Sequence, residues 1–196
     1  MSEKVLLYCM GENNNKSRCS RKKEFIVNQA PEEWYCWQHE YQKYEHPFQL
    51  PIGFDYKLDG RLRYLAKRIL DKMEDLSEIR DIIGLENIGF VRSYKEKKSQ
   101  GRTVFAECKK VTGPERAIIP YKFLIIFYDP NIANLSDNQK KIVMYHELRH
   151  IGPRENIVPH DIEDFSDIIK EFGIDYLDLD KEVPDILADD YHREVV

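Results

Sequence analysis

The stretch Ser136-Asp137-Asn138-Gln139-Lys140-Lys141-Ile142-Val143-Met144-Tyr145-His146-Glu147-Leu148-Arg149-His150 decides the reading of this chain. Ser136 followed three residues later by Gln139 is a capping box that opens a helix. Ile142, Val143, Met144, Leu148 and Ile151 spread apolar side chains over several sides, so the helix is predicted to lie buried at the centre of a domain. Gly152-Pro153 terminates it. His146 and His150 stand at i and i+4, one turn apart on one face, where two imidazoles can grip one ion. Glu147 projects beside that ion, where a carboxylate can take a proton from water and deliver it to a leaving amine. Such polar side chains in a buried helix are costly unless paired or metal-bound. The string points to a catalytic zinc and a metal-dependent hydrolase.

A catalytic zinc takes three protein ligands and keeps one position open. The third candidate is His160, in Pro159-His160-Asp161-Ile162-Glu163-Asp164-Phe165, with Asp161 and Asp164 as competing carboxylates. If His160 is the ligand, Asp161 suits the position behind a ligand histidine, accepting its N–H and fixing its tautomer.

Upstream, Leu62, Leu65, Ala66, Ile69 and Leu70 recur at helical spacing, which predicts a helix from Asp59 to about Met73. Three strand-like runs follow, Ile88 to Tyr94, Thr103 to Val111 and Tyr121 to Tyr128. The continuous apolar middle of the third suits a central strand, and Lys95 to Arg102 reads as the hairpin loop between the first two. A last helix is predicted to begin near His160-Asp161 and stop at Gly173. The expected fold class is α+β: a small sheet of three or more strands packed on the central helix and flanking helices, zincin-like, with a small N-terminal zinc-bound module.

Of the four cysteines, Cys9, Cys19 and Cys36 cluster near His39 with the spacing C-x9-C-x16-C-x2-H. Three cysteines and a histidine are a ligand set for closed, tetrahedral structural zinc, and a segment without an apolar stripe would take its folding energy from the ion. Free thiols are the other reading. Trp34, Tyr35 and Trp37 could cover the metal, and Cys108, in a predicted strand, reads as a small core residue. The expected organisation is a zinc knuckle at 1–42, a linker or strap at 43–58 carrying Pro47 and Pro51, the main domain at 59–180 and an acidic, weakly patterned tail at 181–196.

The net charge of −5 over 196 residues conceals an asymmetry. From Glu155 onward 14 acidic residues face 3 basic ones, a balance of −11, whereas the preceding residues carry 27 basic and 21 acidic, a balance of +6. The first apolar run is short for a signal peptide and nothing approaches the roughly 18 apolar residues of a membrane span. The expectation is a cytoplasmic protein with no membrane partner.

The run from Tyr121 to Leu177, with Leu135-Ser136-Asp137-Asn138-Gln139, the His146 to His150 string, Pro159 to Phe165 and Phe172-Gly173-Ile174-Asp175-Tyr176-Leu177, resembles the phage metallopeptidase domain, more weakly back to Leu62. It resembles the SprT-like zinc peptidases more distantly. The resemblance implies His146, His150 and His160 as zinc ligands, Glu147 as the catalytic residue, and a protein or peptide substrate. Another class of function competes: a nucleic-acid-binding or regulatory protein, phage or mobile-element related. Its basic knuckle residues Lys16, Arg18, Arg21, Lys22 and Lys23 would contact phosphates while the peptidase-like fold serves as scaffold.

Overall fold

The computed structural model describes residues 4–11, 13, 17–27, 30–31, 34–36, 38–40, 42, 55–160 and 164–191. The fold is mixed α/β. A four-stranded sheet has the order β3 (Tyr56–Leu58), β4 (Ile88–Ser93), β8 (Phe123–Tyr128), β7 (Ala106–Lys110), with β4 and β8 parallel and both outer pairs antiparallel. Helix α1 (Gly60–Lys72) and helix α3 (Asp137–Arg149) pack on one face of it. The registers Ile88↔Phe123, Phe90↔Ile125 and Cys108↔Ile125 line up alternate residues on that face. There Ile88, Phe90, Phe123, Ile125 and Phe127 are fully buried with Ala66, Ile69, Ile142, Met144 and Leu148 of the helices. This period-two row meeting a helical row makes the core of the domain.

Both helices start where their sequences say. Asp59 Oδ1 accepts from the N–H groups of Arg61 and Leu62 at 2.7 and 3.2 Å, capping α1. Ser136 and Gln139 form the reciprocal box on α3, at 3.2 and 2.8 Å.

The loop from Lys95 to Arg102 does not join neighbouring strands of the main sheet. Strand β8 lies between β4 and β7, because its Phe-Leu-Ile-Ile-Phe-Tyr run is largely buried on both faces and needs partners on both sides. The loop instead folds into a separate ribbon, β5 (Lys98–Ser99) and β6 (Arg102–Thr103), turning at Gln100 and Gly101 with φ of 51° and 81°. Asn131, in the short helix α2 (Asp129–Ile132), pins it through bonds to the carbonyls of Lys97 and Val104 at 2.7 and 2.6 Å.

Two further expectations shift. The last helix, α4 (Ser166–Phe172), begins well after His160, which stands in non-helical chain. The reason is local: Asp164 turns its carboxylate onto the Phe165 N–H at 2.6 Å, and buried Phe165 becomes the residue before the helix. The acidic stretch from Lys181 packs onto the domain as far as Tyr191. Ile186 and Leu187 are buried in the core, and Asn138 Nδ2 donates to the Val183 carbonyl at 3.2 Å. At the other end, Tyr56–Leu58, read as part of the strap, is the edge strand β3, and the Asp55 carbonyl accepts from the Tyr94 N–H at 2.8 Å; residues 43–54 of that segment lie outside the described residues, as do 192–196.

The N-terminal segment contains an antiparallel ribbon absent from the sequence reading, β1 (Lys4–Tyr8) with β2 (Lys22–Ile26), registered Lys4↔Ile26 to Tyr8↔Lys22. Phe25 packs edge-on against Trp34 at 6.1 Å between centroids. Among the described residues, no helix is long and apolar enough to cross a membrane.

Candidate metal centres

The end of α3 presents His146 and His150 on one face, and the chain then doubles back. Ile151 bridges to Ile157, the Gly152 N–H reaches the Asn156 carbonyl at 2.8 Å, and the Val158 N–H reaches the His150 carbonyl at 2.8 Å. A Cβ on Gly152 would meet the amide of Asn156, its Oδ1 nearest, so a larger residue there must push that side chain aside. The return of the chain delivers His160 to the two helix histidines. The three Nε2 atoms stand 3.2 Å (His146 to His150), 3.0 Å (His146 to His160) and 3.0 Å (His150 to His160) apart.

The far nitrogens tell which edge of each ring is bare. His150 Nδ1 lies 2.7 Å from the Val158 carbonyl oxygen, which can only accept, so the ring proton belongs on Nδ1 and Nε2 carries a lone pair. His146 Nδ1 lies 2.7 Å from Asp164 Oδ1 without the alignment of a hydrogen bond, and a carboxylate that close favours the ring proton on Nδ1. Two lone pairs thus converge with the His160 ring, an arrangement that repels itself until a cation sits among them. Ligands about 2.0–2.1 Å from a tetrahedral ion stand roughly 3.3 Å apart, close to the spacing here. The donor set fits a metal ion. Burial, with the neighbouring imidazoles, pushes His150 down to about 4 and keeps it neutral. Phe165 floors the site, its ring centroid 5.3, 4.9 and 5.3 Å from those of His146, His150 and His160.

Glu147 points toward β7. It is buried, the Cys108 backbone N–H donates to its carboxylate, and Oε2 has no hydrogen-bond partner among the described residues. Burial raises its pKa to about 7 against the pull of His146, with Glu107 and Asp164 adding repulsion. A buried carboxylate oxygen without a donor is expensive and calls for a functional explanation.

A family model described as "Putative phage metallopeptidase" matches residues 54–189. The chain belongs to this phage metallopeptidase family. No curated protein and no solved structure matches it. The matched region contains the three histidines and Glu147, and a family of metallopeptidases is consistent with a metal ion at that cluster.

Outside the region matched by the phage metallopeptidase model, Cys9, Cys19, Cys36 and His39 are all buried, with ligand atoms within 4.8 Å of one another. Cys9 Sγ and Cys36 Sγ lie 3.6 and 3.3 Å from His39 Nδ1, and Cys19 Sγ lies 3.9 Å from Cys36 Sγ, far beyond a disulfide bond of about 2.05 Å. Zinc–sulfur bonds of about 2.3 Å place tetrahedral sulfurs roughly 3.8 Å apart. Burial pushes the Cys9 thiol up, against the N–H groups of Cys36 and Gly11, which donate to its Sγ at 3.2 and 3.4 Å. Against its burial, the Arg21 guanidinium, the Gln38 N–H and the neighbouring thiols bring Cys36 down to about 6. Arg21, exposed, reaches to 3.5 Å from Cys36 Sγ. Trp34 packs against the cysteines; Trp37 and Lys16 lie outside the described residues.

Three polar side chains around the site are engaged with partners of their own. Tyr145 donates to Asp75 at 2.6 Å, Tyr176 donates to Asp164 at 2.9 Å, and Arg149 pairs with Asp167 and stacks on Phe165. Asp161 lies outside the described residues. Asp164, considered as a rival ligand, stands at the Nδ1 edge of His146, on the side of the ring away from the converging nitrogens. The Phe165 floor, the Val158 carbonyl and the Cys108 N–H have no signature in the sequence, because each is brought in by the return of the chain or by sheet register.

Proposed function

We propose that this chain is a zinc-dependent metallopeptidase, zincin-like in arrangement, that hydrolyses peptide bonds in a protein or peptide substrate. His146, His150 and His160 would hold the catalytic zinc and Glu147 would act as general base. Cys9, Cys19, Cys36 and His39 would hold a structural zinc. The reading rests on the convergence of three Nε2 atoms, two with their lone pairs turned inward, beside a buried carboxylate that has an unpartnered oxygen.

Zinc at the histidines would supply a Lewis acid that polarises the scissile carbonyl and acidifies water. Glu147 takes the proton of the attacking water and passes it to the leaving amine. A carboxyl near pKa 7 is suited to both halves of that transfer, and a nearby dication favours its ionised form. The side of β7 away from β8 is unpaired among the described strands, and β7 carries the Cys108 N–H that holds Glu147. An extended peptide adding to that edge would run past the histidines, with main-chain bonds fixing its scissile carbonyl.

The test is cleavage of a denatured protein substrate by wild type and by Glu147→Gln. Activity present in the wild type, abolished by a zinc chelator and lost in Glu147→Gln with zinc still bound supports the proposal. Cleavage that survives Glu147→Gln refutes it.

A further inference from the structure

Asp164 is held from three directions. Its Oδ1 accepts the Phe165 N–H at 2.6 Å and lies 2.7 Å from His146 Nδ1, while its Oδ2 accepts the Tyr176 hydroxyl at 2.9 Å. His146 Nδ1 is buried, and although it lies 2.7 Å from this carboxylate it is not aligned with it as a hydrogen bond, so Asp164 acts on the ring as a close negative charge. Tyr176 is buried too, packed against Phe172 with ring centroids 6.5 Å apart. Its backbone carbonyl accepts from Gln139 Nε2 at 3.1 Å, and Gln139 is the residue that closes the capping box of α3. A single residue therefore ties the N-terminal turn of the motif helix to the carboxylate that addresses its first histidine.

The terminal torsion of an aspartate is broad, so a carboxylate bonded on one side only can swing. The Tyr176 phenol removes that freedom. With Asp164 fixed, the His146 proton stays on Nδ1, Nε2 stays bare, and the ring keeps its angle toward His150 and His160; such a carboxylate also makes the imidazole a better donor.

We propose that Asp164, locked by Tyr176, is the positioning residue of the histidine site, setting how tightly that site holds a metal ion. The proposal rests on the reading of His146 as a metal ligand. It predicts that Asp164→Ala weakens cobalt(II) binding at the histidine site by about 10- to 100-fold, the usual effect of removing such a partner. Asp164→Asn, whose amide oxygen can still approach Nδ1 but carries no charge, recovers part of that loss. Tyr176→Phe keeps the buried ring and removes only the hydroxyl, so it folds even where Asp164→Ala does not, and it weakens cobalt binding by a smaller factor.

The experiment titrates the full-length chain, its cysteine site kept loaded with zinc, with cobalt(II), and records long-range nitrogen–proton NMR spectra that report the His146 tautomer. The expected result is a graded loss of affinity from wild type through Tyr176→Phe to Asp164→Ala, with the single Nδ1–H tautomer of the wild type giving way to a mixture. Unchanged affinity and an unchanged tautomer in both Tyr176→Phe and Asp164→Ala would overturn the proposal. A wild type that takes no cobalt at the histidines would overturn the ligand reading itself, which separates the two failures.

Discussion

Replacing Glu147 by glutamine tests the electrostatics of the site apart from its chemistry. Burial moves this carboxyl from an ordinary 4.5 to about 7. At about 1.36 kcal/mol per pKa unit, holding it ionised in the folded protein costs about 3 kcal/mol once the pH is well above 7. The sign follows from linkage: the folded state binds the proton more tightly than the unfolded chain, so stability falls as pH rises from about 4.5 through 7 and then levels. The amide introduced by Glu147→Gln does not titrate. With the histidine site emptied by a mild chelator and the cysteine site left loaded, urea unfolding at pH 5 and pH 8 should show the stability gap moving toward the variant by about 2–3 kcal/mol, because at pH 5 the unfolded carboxyl is already mostly ionised. A zinc ion held by the histidines would favour the ionised form of Glu147 and should shrink that movement. Stability profiles of the two proteins that run parallel between pH 5 and pH 8 would refute the account of Glu147 as a buried carboxylate strained by its surroundings.

Other consequences are measurable. Ile186→Ala empties a fully buried position in the stretch read from sequence as a tail, and should destabilise the protein by about 2–5 kcal/mol in urea unfolding. Gly152→Val forces the Asn156 side chain aside and should displace His160, lowering zinc affinity at the histidine site in a chelator competition while circular dichroism stays unchanged. Cys36→Ser should remove one zinc equivalent by elemental analysis and expose the segment before Tyr56 to limited proteolysis, leaving the main domain folded. Glu107, though burial opposes its charge, is held below the usual carboxyl range by Lys97, Tyr128 and Lys109. Its stabilising effect is therefore present above about pH 4.5 and lost as the pH falls through its lowered value, so the stability advantage of wild type over Glu107→Gln should close in melts taken below pH 4.

What the sequence made legible follows from the range of the interactions involved. The motif helix, its capping box and the i, i+4 histidines are local, and so is the apolar run that became the central strand β8. His160 was found because it is a histidine within reach of a Gly-Pro turn, although the helix expected to carry it begins later, at Ser166. The order β4-β8-β7 was missed because strand neighbours are chosen by burial on both faces, which a linear pattern of two runs and a loop does not encode. The tail was misread because Ile186 and Leu187 are two apolar residues among many acids, too few to show a period. Asp164 was considered only as a ligand; that it turns to the Nδ1 edge of His146 depends on Tyr176, twelve residues further on.

The central claim is that one zinc ion sits among His146, His150 and His160, and its most direct test is a crystal structure of the full chain with anomalous scattering recorded at the zinc edge. The account predicts two peaks, one about 2.0–2.1 Å from the Nε2 atoms of those three histidines and one among Cys9, Cys19, Cys36 and His39. A histidine cluster without an anomalous peak in zinc-loaded protein, or a peak there bound by residues other than these three, would contradict it.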